Sequence, residues 1–263
     1  MATLQSSNLP FTMAGPQVRH IDARDLDWAL TEGWKDFQAQ RGDIIVLAVI
    51  YPLVGLIAAA AAYNAQALPL FFPLIAGLTI LGPAVASGFY EIARRREAGI
   101  AWNWLHFLDP LSGRSRTALL TLTAGLIVLF AAWLLAAWAI YADTLGTLRP
   151  VGAAAFVRGL FTTPEGWSMI VLGNLVGFGF AVITLILALA SFPMVVDKPV
   201  DASTAIATSV RAVTQNPRVV AQWGLRVAGL LVLGSLPGFI GLAIVLPVLG
   251  YATWHLYTRL VER

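Results

Sequence analysis

Between Ala118 and Tyr141 the chain reads ALLTLTAGLIVLFAAWLLAAWAIY, 24 residues without one charge. A helix rises about 1.5 Å per residue and about 20 apolar residues cross the ~30 Å hydrocarbon layer, so this stretch is long enough to span a bilayer. Its apolar character is continuous rather than alternating, which disfavours a closed β-barrel with lipid-facing and lumen-facing residues in turn. Five more segments have the same character: Ile44 to Tyr63, Phe72 to Tyr90, Trp167 to Ser191, Val219 to Ser235, and Gly238 to Tyr257. The fold class predicted is therefore all-α, a polytopic helical membrane bundle of six transmembrane helices. Its last two spans are joined as a hairpin at Leu236 and Pro237.

The composition agrees. Of 263 residues 58% are hydrophobic and 12% charged, with a mean hydropathy of +0.76, against about 25% charged in an ordinary globular domain. That excludes a soluble enzyme, and so apolar a chain buries too much surface to stay disordered. There is no cysteine, hence no disulfide, thiolate metal site or cysteine nucleophile. The first eighteen residues carry no basic residue and no long apolar core, and read as a loose cytoplasmic tail rather than a secretory leader.

Sorting the basic residues by loop gives the orientation. Fourteen of the seventeen lie on one side: Arg19, Arg24, Lys35, Arg41, Arg94, Arg95, Arg96, Arg114, Arg116, Lys198, Arg211, Arg218, Arg259 and Arg263. Arg149 and Arg158 lie opposite, and Arg226 falls inside the fifth span. By the positive-inside rule both termini are cytoplasmic. Trp102, Trp104, Trp167, Trp223 and Trp254 sit near span ends, as an aromatic belt does.

A shift of 164 residues lays Gly77, Leu78, Ile80 and Pro83 on Gly241, Leu242, Ile244 and Pro247, and carries Tyr90, Glu91, Ile92 and Arg95 onto Trp254, His255, Leu256 and Arg259. A shift of 176 lays Ala29, Leu30, Lys35 and Phe37 on Ala205, Ile206, Arg211 and Val213. The expected organisation is a tail (1–21) and one membrane domain (22–263). Within it, 22–97 and 201–263 are parallel copies of an interfacial helix plus two spans, and 98–200 inserts the third and fourth spans. In the first interfacial helix Asp22 is a predicted cap, and Leu26, Leu30, Trp34 and Phe37 form an apolar stripe that lies on the bilayer or on the bundle. Val200 and Asp201 open the second amphipathic helix in the same way. The acidic face of the first (Asp22, Asp25, Asp27, Glu32, Asp36) is expected near Arg94, Arg95 and Arg96.

Candidate functional residues are few. The spans hold no aspartate or lysine, and no glutamate away from an end, which weakens an ion-coupled carrier or pump. Arg226 either snorkels to headgroups or pairs with Asp197, Glu91 or an anionic ligand. Asn174, among Gly173, Gly177 and Gly179, reads as an amide bonding across a close helix contact, or as part of a substrate site. His20, His106 and His255 are the available imidazoles, and they do not make a haem or metal set; no cofactor is expected. Arg94, Arg95 and Arg96 are too short a run for nucleic acid and read as a topology determinant. Partners are then the lipid bilayer and other membrane subunits.

Several stretches carry a family resemblance. They are Leu70-Phe71-Phe72-Pro73 leading to Gly82-Pro83 and Gly88-Phe89-Tyr90-Glu91-Ile92-Ala93-Arg94-Arg95-Arg96-Glu97, then Ser191-Phe192-Pro193-Met194, Thr208-Ser209-Val210-Arg211-Ala212, Asn216-Pro217, Trp223-Gly224 and Thr253-Trp254-His255-Leu256-Tyr257. Together they resemble a bacterial integral-membrane family of unknown function, some members of which are labelled cytochrome c oxidase subunit I. The resemblance implies a multi-pass inner-membrane protein of alphaproteobacterial type and supplies no catalytic residues. The histidines an oxidase core uses are missing from the spans, so what the label implies is at most association with a respiratory complex. The expectation is a non-enzymatic accessory, assembly or scaffold factor; a transporter or channel for a lipid or small solute is the alternative.

Overall fold

The computed structural model describes residues 16–39, 68–237 and 239–263; the expected first span, Ile44 to Tyr63, lies outside the described residues. Among these residues the fold is all-α, with an isolated antiparallel bridge between Val18 and Val261. The helices are α1 (Ala23–Ala39), α2 (Leu68–Leu78), α3 (Gly82–Glu97), α4 (Arg116–Asp143), α5 (Gly152–Thr162), α6 (Pro164–Ala188), α7 (Ser191–Asp197), α8 (Ala202–Gln215), α9 (Pro217–Ser235) and α10 (Leu242–Leu260). Short 3-10 stretches lie at Thr79–Leu81, Trp104–Leu111 and Leu145–Leu148.

Three of the described helical stretches are long and apolar enough to cross a membrane: Pro69–Glu97, Arg116–Asp143 and Pro164–Asp197. They contain the expected second, third and fourth spans, and two run on past the expected cytoplasmic ends. The second continues through Arg94, Arg95 and Arg96 in the last turn of α3, where cations meet the negative end of the helix dipole. The fourth turns at Leu189 and Ala190 and continues as α7. The expected fifth and sixth spans are helices of 19 residues each, α9 and α10. Arg218, Gln222 and Arg226 dilute the apolar run in α9, as His255 and Arg259 do in α10.

The carboxyl-terminal half of α10 is the centre of the packing, with Tyr251, Ala252, Trp254, Leu256, Tyr257 and Leu260 all buried. Its alternation of small and large residues lets helices lie against it on two sides. On one, α1 approaches so closely that a Cβ on Gly33 would stand 2.6 Å from the Ala252 nitrogen. Of the two expected settings for the apolar stripe, α1 takes the bundle: Leu26, Ala29 and Phe37 are buried there, while Trp34 stays exposed. On the other side α3 sets Phe89 over Gly250 and edge-on to Tyr251, with ring centroids 5.5 Å apart. The 3-10 stretch at 104–111 fastens to α3 through Phe107, which fills the space Gly88 leaves and meets Phe89 edge-on at 5.0 Å. Its other side presents Trp104, Leu105, Leu108 and Leu111. Away from this centre, the Trp133 indole of α4 donates to the Pro73 carbonyl of α2 at 2.8 Å.

The two proposed repeat copies sit in different surroundings. The aligned pair α3 and α10 pack on each other, but α1 lies along α10, whereas its counterpart α8 packs against α6 and α7.

Candidate functional site: a closed polar layer

Where α1, α3, α7 and α10 end, side chains of opposite charge meet. The Glu91 carboxylate is buried at 5% exposure, six residues before the end of α3, and burial is costly for a charge unless it is paired. Arg94 straddles it, with Nε donating to Oε2 at 2.8 Å and a terminal nitrogen to Oε1 at 2.6 Å. Arg95 donates to the same Oε1 at 2.7 Å and, with its other end, to Asp109 of the 3-10 stretch at 2.6 Å. The α3 spacing of three and four residues brings both guanidinium groups onto the glutamate's face.

Asp36 is the second buried carboxylate, also at 5% exposure, on the inner side of α1 beside Phe37. Arg96 donates to its Oδ1 at 2.6 Å, and the His255 Nε2 lies 2.9 Å from Oδ2. His255 in turn stands edge-on to Trp28 at 5.6 Å, and the Arg259 guanidinium covers the Trp28 ring at 4.1 Å, a cation–π contact. One arginine of the three thus holds α1, as expected, and the other two hold the glutamate of their own helix.

A third group ties the carboxyl terminus down. Arg263 donates to Glu97 at 2.6 Å and to both oxygens of Asp197 at 3.2 Å, with its guanidinium over Trp254 at 4.9 Å. The Tyr257 hydroxyl donates to Asp197 at 2.9 Å and the Trp254 indole to Glu97 at 3.2 Å. Burial works against the Arg263 charge, yet its bonds to Glu97 and Asp197 hold its pKa above the ordinary guanidinium value. Alongside, residues 17–19 pair with 260–262: Arg19 N–H donates to the Leu260 carbonyl at 2.8 Å and Glu262 N–H to the Gln17 carbonyl at 2.9 Å. Asn216 accepts from Ile21 N–H at 3.0 Å and donates to the Arg19 carbonyl at 3.1 Å.

The remaining expected residues fall elsewhere. Arg226 pairs with neither Asp197 nor Glu91; it reaches Asp27 of α1 at 2.6 Å. Asn174 does not bond across a helix contact: it is exposed, and its amide donates to the Ile170 carbonyl of its own helix at 2.8 Å. Of its neighbouring glycines, Gly177 faces Trp133, while a Cβ on Gly173 or Gly179 would meet nothing. His106 is engaged locally, its Nδ1 accepting from Asn103 N–H at 2.8 Å. Among the described residues no three metal-ligating side chains converge.

Sequence reasoning passed over Asp197, Glu97, Asp109 and Arg263 as site residues; it expected Asp36 near Arg94, Arg95 and Arg96, and Asp36 meets Arg96, but its burial was not anticipated. One signal for Asp36 was present, since it lies seven residues after Ala29 and next to Phe37, on the stripe rather than opposite it. For the others the signal is three-dimensional, because each belongs to a different loop or terminus.

Chemically, the layer consists of carboxylates each matched by a guanidinium, imidazole, indole or phenol. It fixes helix ends, and each oxygen of Glu91 and Asp36 has at least one partner.

Residues 70–197, just under half of the chain, match the model of a family described as predicted integral membrane protein (DUF2189). The match runs over its three long apolar helical stretches, and the chain is an integral membrane protein. No curated protein and no solved structure matches it.

Proposed function

We propose that the protein has no catalytic chemistry of its own and serves as an accessory, assembly or scaffold factor for a membrane complex, a respiratory one being the case its resemblance brings in. The observation that carries this is the closed layer: the buried carboxylates Asp36 and Glu91 are saturated by Arg94, Arg95, Arg96 and His255. Catalysis and ion coupling both need a titratable group that faces substrate or water. Here the charge is spent on joining helix ends, while the long helices offer apolar faces such as Val128, Leu135, Phe178 and Val232 to their surroundings.

The topology belongs to the same proposal: six spans in a bacterial inner membrane, both termini cytoplasmic, with two amphipathic helices and a parallel repeat. The bridge between residues 17–19 and 260–262 supports it, since both ends of the chain must then share one side. So does the meeting of Glu97, Asp197 and Arg263, which brings the ends of α3, α7 and α10 together.

The transporter reading rests on one feature. The second span is broken by the 3-10 turn at Thr79–Leu81 next to Gly82 and Pro83, and discontinuous helices line substrate paths in carriers. Extraction of native membranes in mild detergent, with mass spectrometry for proteins and lipids and an absorption spectrum of the same sample, separates the two. Stoichiometric membrane subunits are expected. Recovery of the chain alone with one specific lipid or solute would overturn the accessory role in favour of transport.

A further inference from the structure

Asn174 poses a problem that the fold leaves unsolved. It lies ten residues into α6, about 15 Å along the axis at 1.5 Å per residue, and seven residues beyond the exposed Trp167, a side chain suited to the headgroup layer. In the expected span Trp167 to Ser191 that depth is hydrocarbon. A primary amide has two N–H donors and an acceptor oxygen; one donor is used within the helix, on the Ile170 carbonyl. Among the described residues nothing donates to its Oδ1 and nothing accepts its second N–H, and lipid tails can do neither.

The surroundings of Asn174 have a helix-pairing pattern. Trp167, Val171, Asn174, Phe178 and Ala181 are all exposed and recur at four, three, four and three, the 3.5-residue period of a seam between two nearly parallel helices. A shallow hollow of about 420 Å³ lined by Trp167, Ser168, Val171 and Leu172 opens on the same stripe. The opposite side of α6 is already engaged, with Gly177 against Trp133 and Gly166 against Leu160.

We propose that two copies of the chain pack along this stripe of α6, with the Asn174 amides hydrogen-bonded to each other across a two-fold axis. An amide is self-complementary, so an isologous contact satisfies both copies at once: each Oδ1 accepts the other's free N–H. A single buried amide in an otherwise apolar seam also fixes register, because any slide leaves both unpaired. This contact does not rest on the accessory role: the polar layer lies on other helices, and of the apolar faces named for partners the dimer takes only the one that carries Phe178.

The chain has no cysteine, so single introduced thiols report the contact without background. V171C and F178C on the stripe, and L135C on a comparably exposed face of α4, are to be oxidised or treated with a short bifunctional maleimide in native membranes. Dimers are expected from the first two and not from the third. In the F178C background, N174L is expected to weaken self-association on the order of tenfold, read by energy transfer on dilution into lipid, and N174Q to retain it. Three results would overturn the proposal: cross-linking at 171 and 178 no greater than at 135, an adduct with a different protein in place of the dimer, or an N174L variant that associates as well as the parent. Because Asn174 is exposed within one chain, the substitution leaves the protomer's own packing untouched, and loss of the dimer is not loss of the fold.

Discussion

Glu91 shows what a charge costs and gains at the end of an apolar helix. Its carboxylate is reached by Arg94 and Arg95, and removing one partner of a buried pair leaves the other charge uncompensated, a loss of about 3–5 kcal/mol. Glu91→Ala should therefore lower the stability measured by denaturation in micelles by about 3 kcal/mol, since Arg95 keeps Asp109. A loss under roughly 0.5 kcal/mol, the size of a neutral surface change, would show that headgroup water already screens the pair. Asp201 is the contrasting case, fully exposed and capping α8. The Ser203 hydroxyl, then the Thr204 N–H and hydroxyl, stabilise its carboxylate and lower the pKa to about 2, below the ordinary aspartate range. A carboxyl depressed in the folded state stabilises above its unfolded pKa, and that contribution fades as pH falls from about 4 to about 2. The melting temperatures of the parent and of Asp201→Asn should then differ above pH 4 and converge towards pH 2. A gap that persists to pH 2 would mean that the cap does not depend on the charge.

At the scale of elements, α1 is held on the bundle by close packing and by ion pairs at both ends. Gly33 gives contact with the α10 backbone at Val248 and Ala252, while Asp36 binds Arg96 and His255, and Asp27 binds Arg226. Gly33→Leu overfills a contact that a single Cβ would already crowd, at a cost of about 1–3 kcal/mol. It should therefore loosen α1 and speed trypsin cleavage after Lys35 by about tenfold. Arg96→Glu should act in the same direction, because it sets a like charge against buried Asp36, whereas Arg94→Glu should leave cleavage after Lys35 nearly unchanged, since Arg94 serves Glu91. Equal protection in all three variants would separate α1 from the polar layer. The helix itself was legible from the sequence: the Asp22 cap is present, its Oδ1 accepting Arg24 N–H at 2.7 Å, and of the expected stripe Leu26 and Phe37 are buried, Leu30 half-buried and Trp34 exposed. Arg226's partner was not legible, because α1 and α9 meet through Asp27, 199 residues away, and no periodicity encodes that distance.

At the scale of the whole molecule, the apolar runs announced a helical membrane protein, and the long helices at 69–97, 116–143 and 164–197 fall where those runs lie. The ends of two of them did not follow from hydropathy, because their last turns are polar and run on to Glu97 and Asp197, which meet Arg263. Local alignment of α1 with α8 likewise carried no information on what each packs against. The pairing of chain ends makes a stronger statement about topology than charge counting does. Val18 faces Val261, Arg19 binds Glu262, and the Lys198 ammonium donates to the Glu262 carbonyl at 2.9 Å, so residues near both termini and the end of α7 are held within bonding distance. No bilayer can pass between groups so joined. For a chain that spans a bilayer this requires an even number of crossings between residue 18 and residue 261, and the topology proposed above puts this side in the cytoplasm by its basic loops. Short epitope tags placed before Met1 and after Arg263 should both be digested by protease in inverted inner-membrane vesicles and both be protected in right-side-out ones. Tags of opposite accessibility would require an odd number of crossings and would break the bridge between Val18 and Val261, and with it the anchoring of Arg263 on which the polar layer depends.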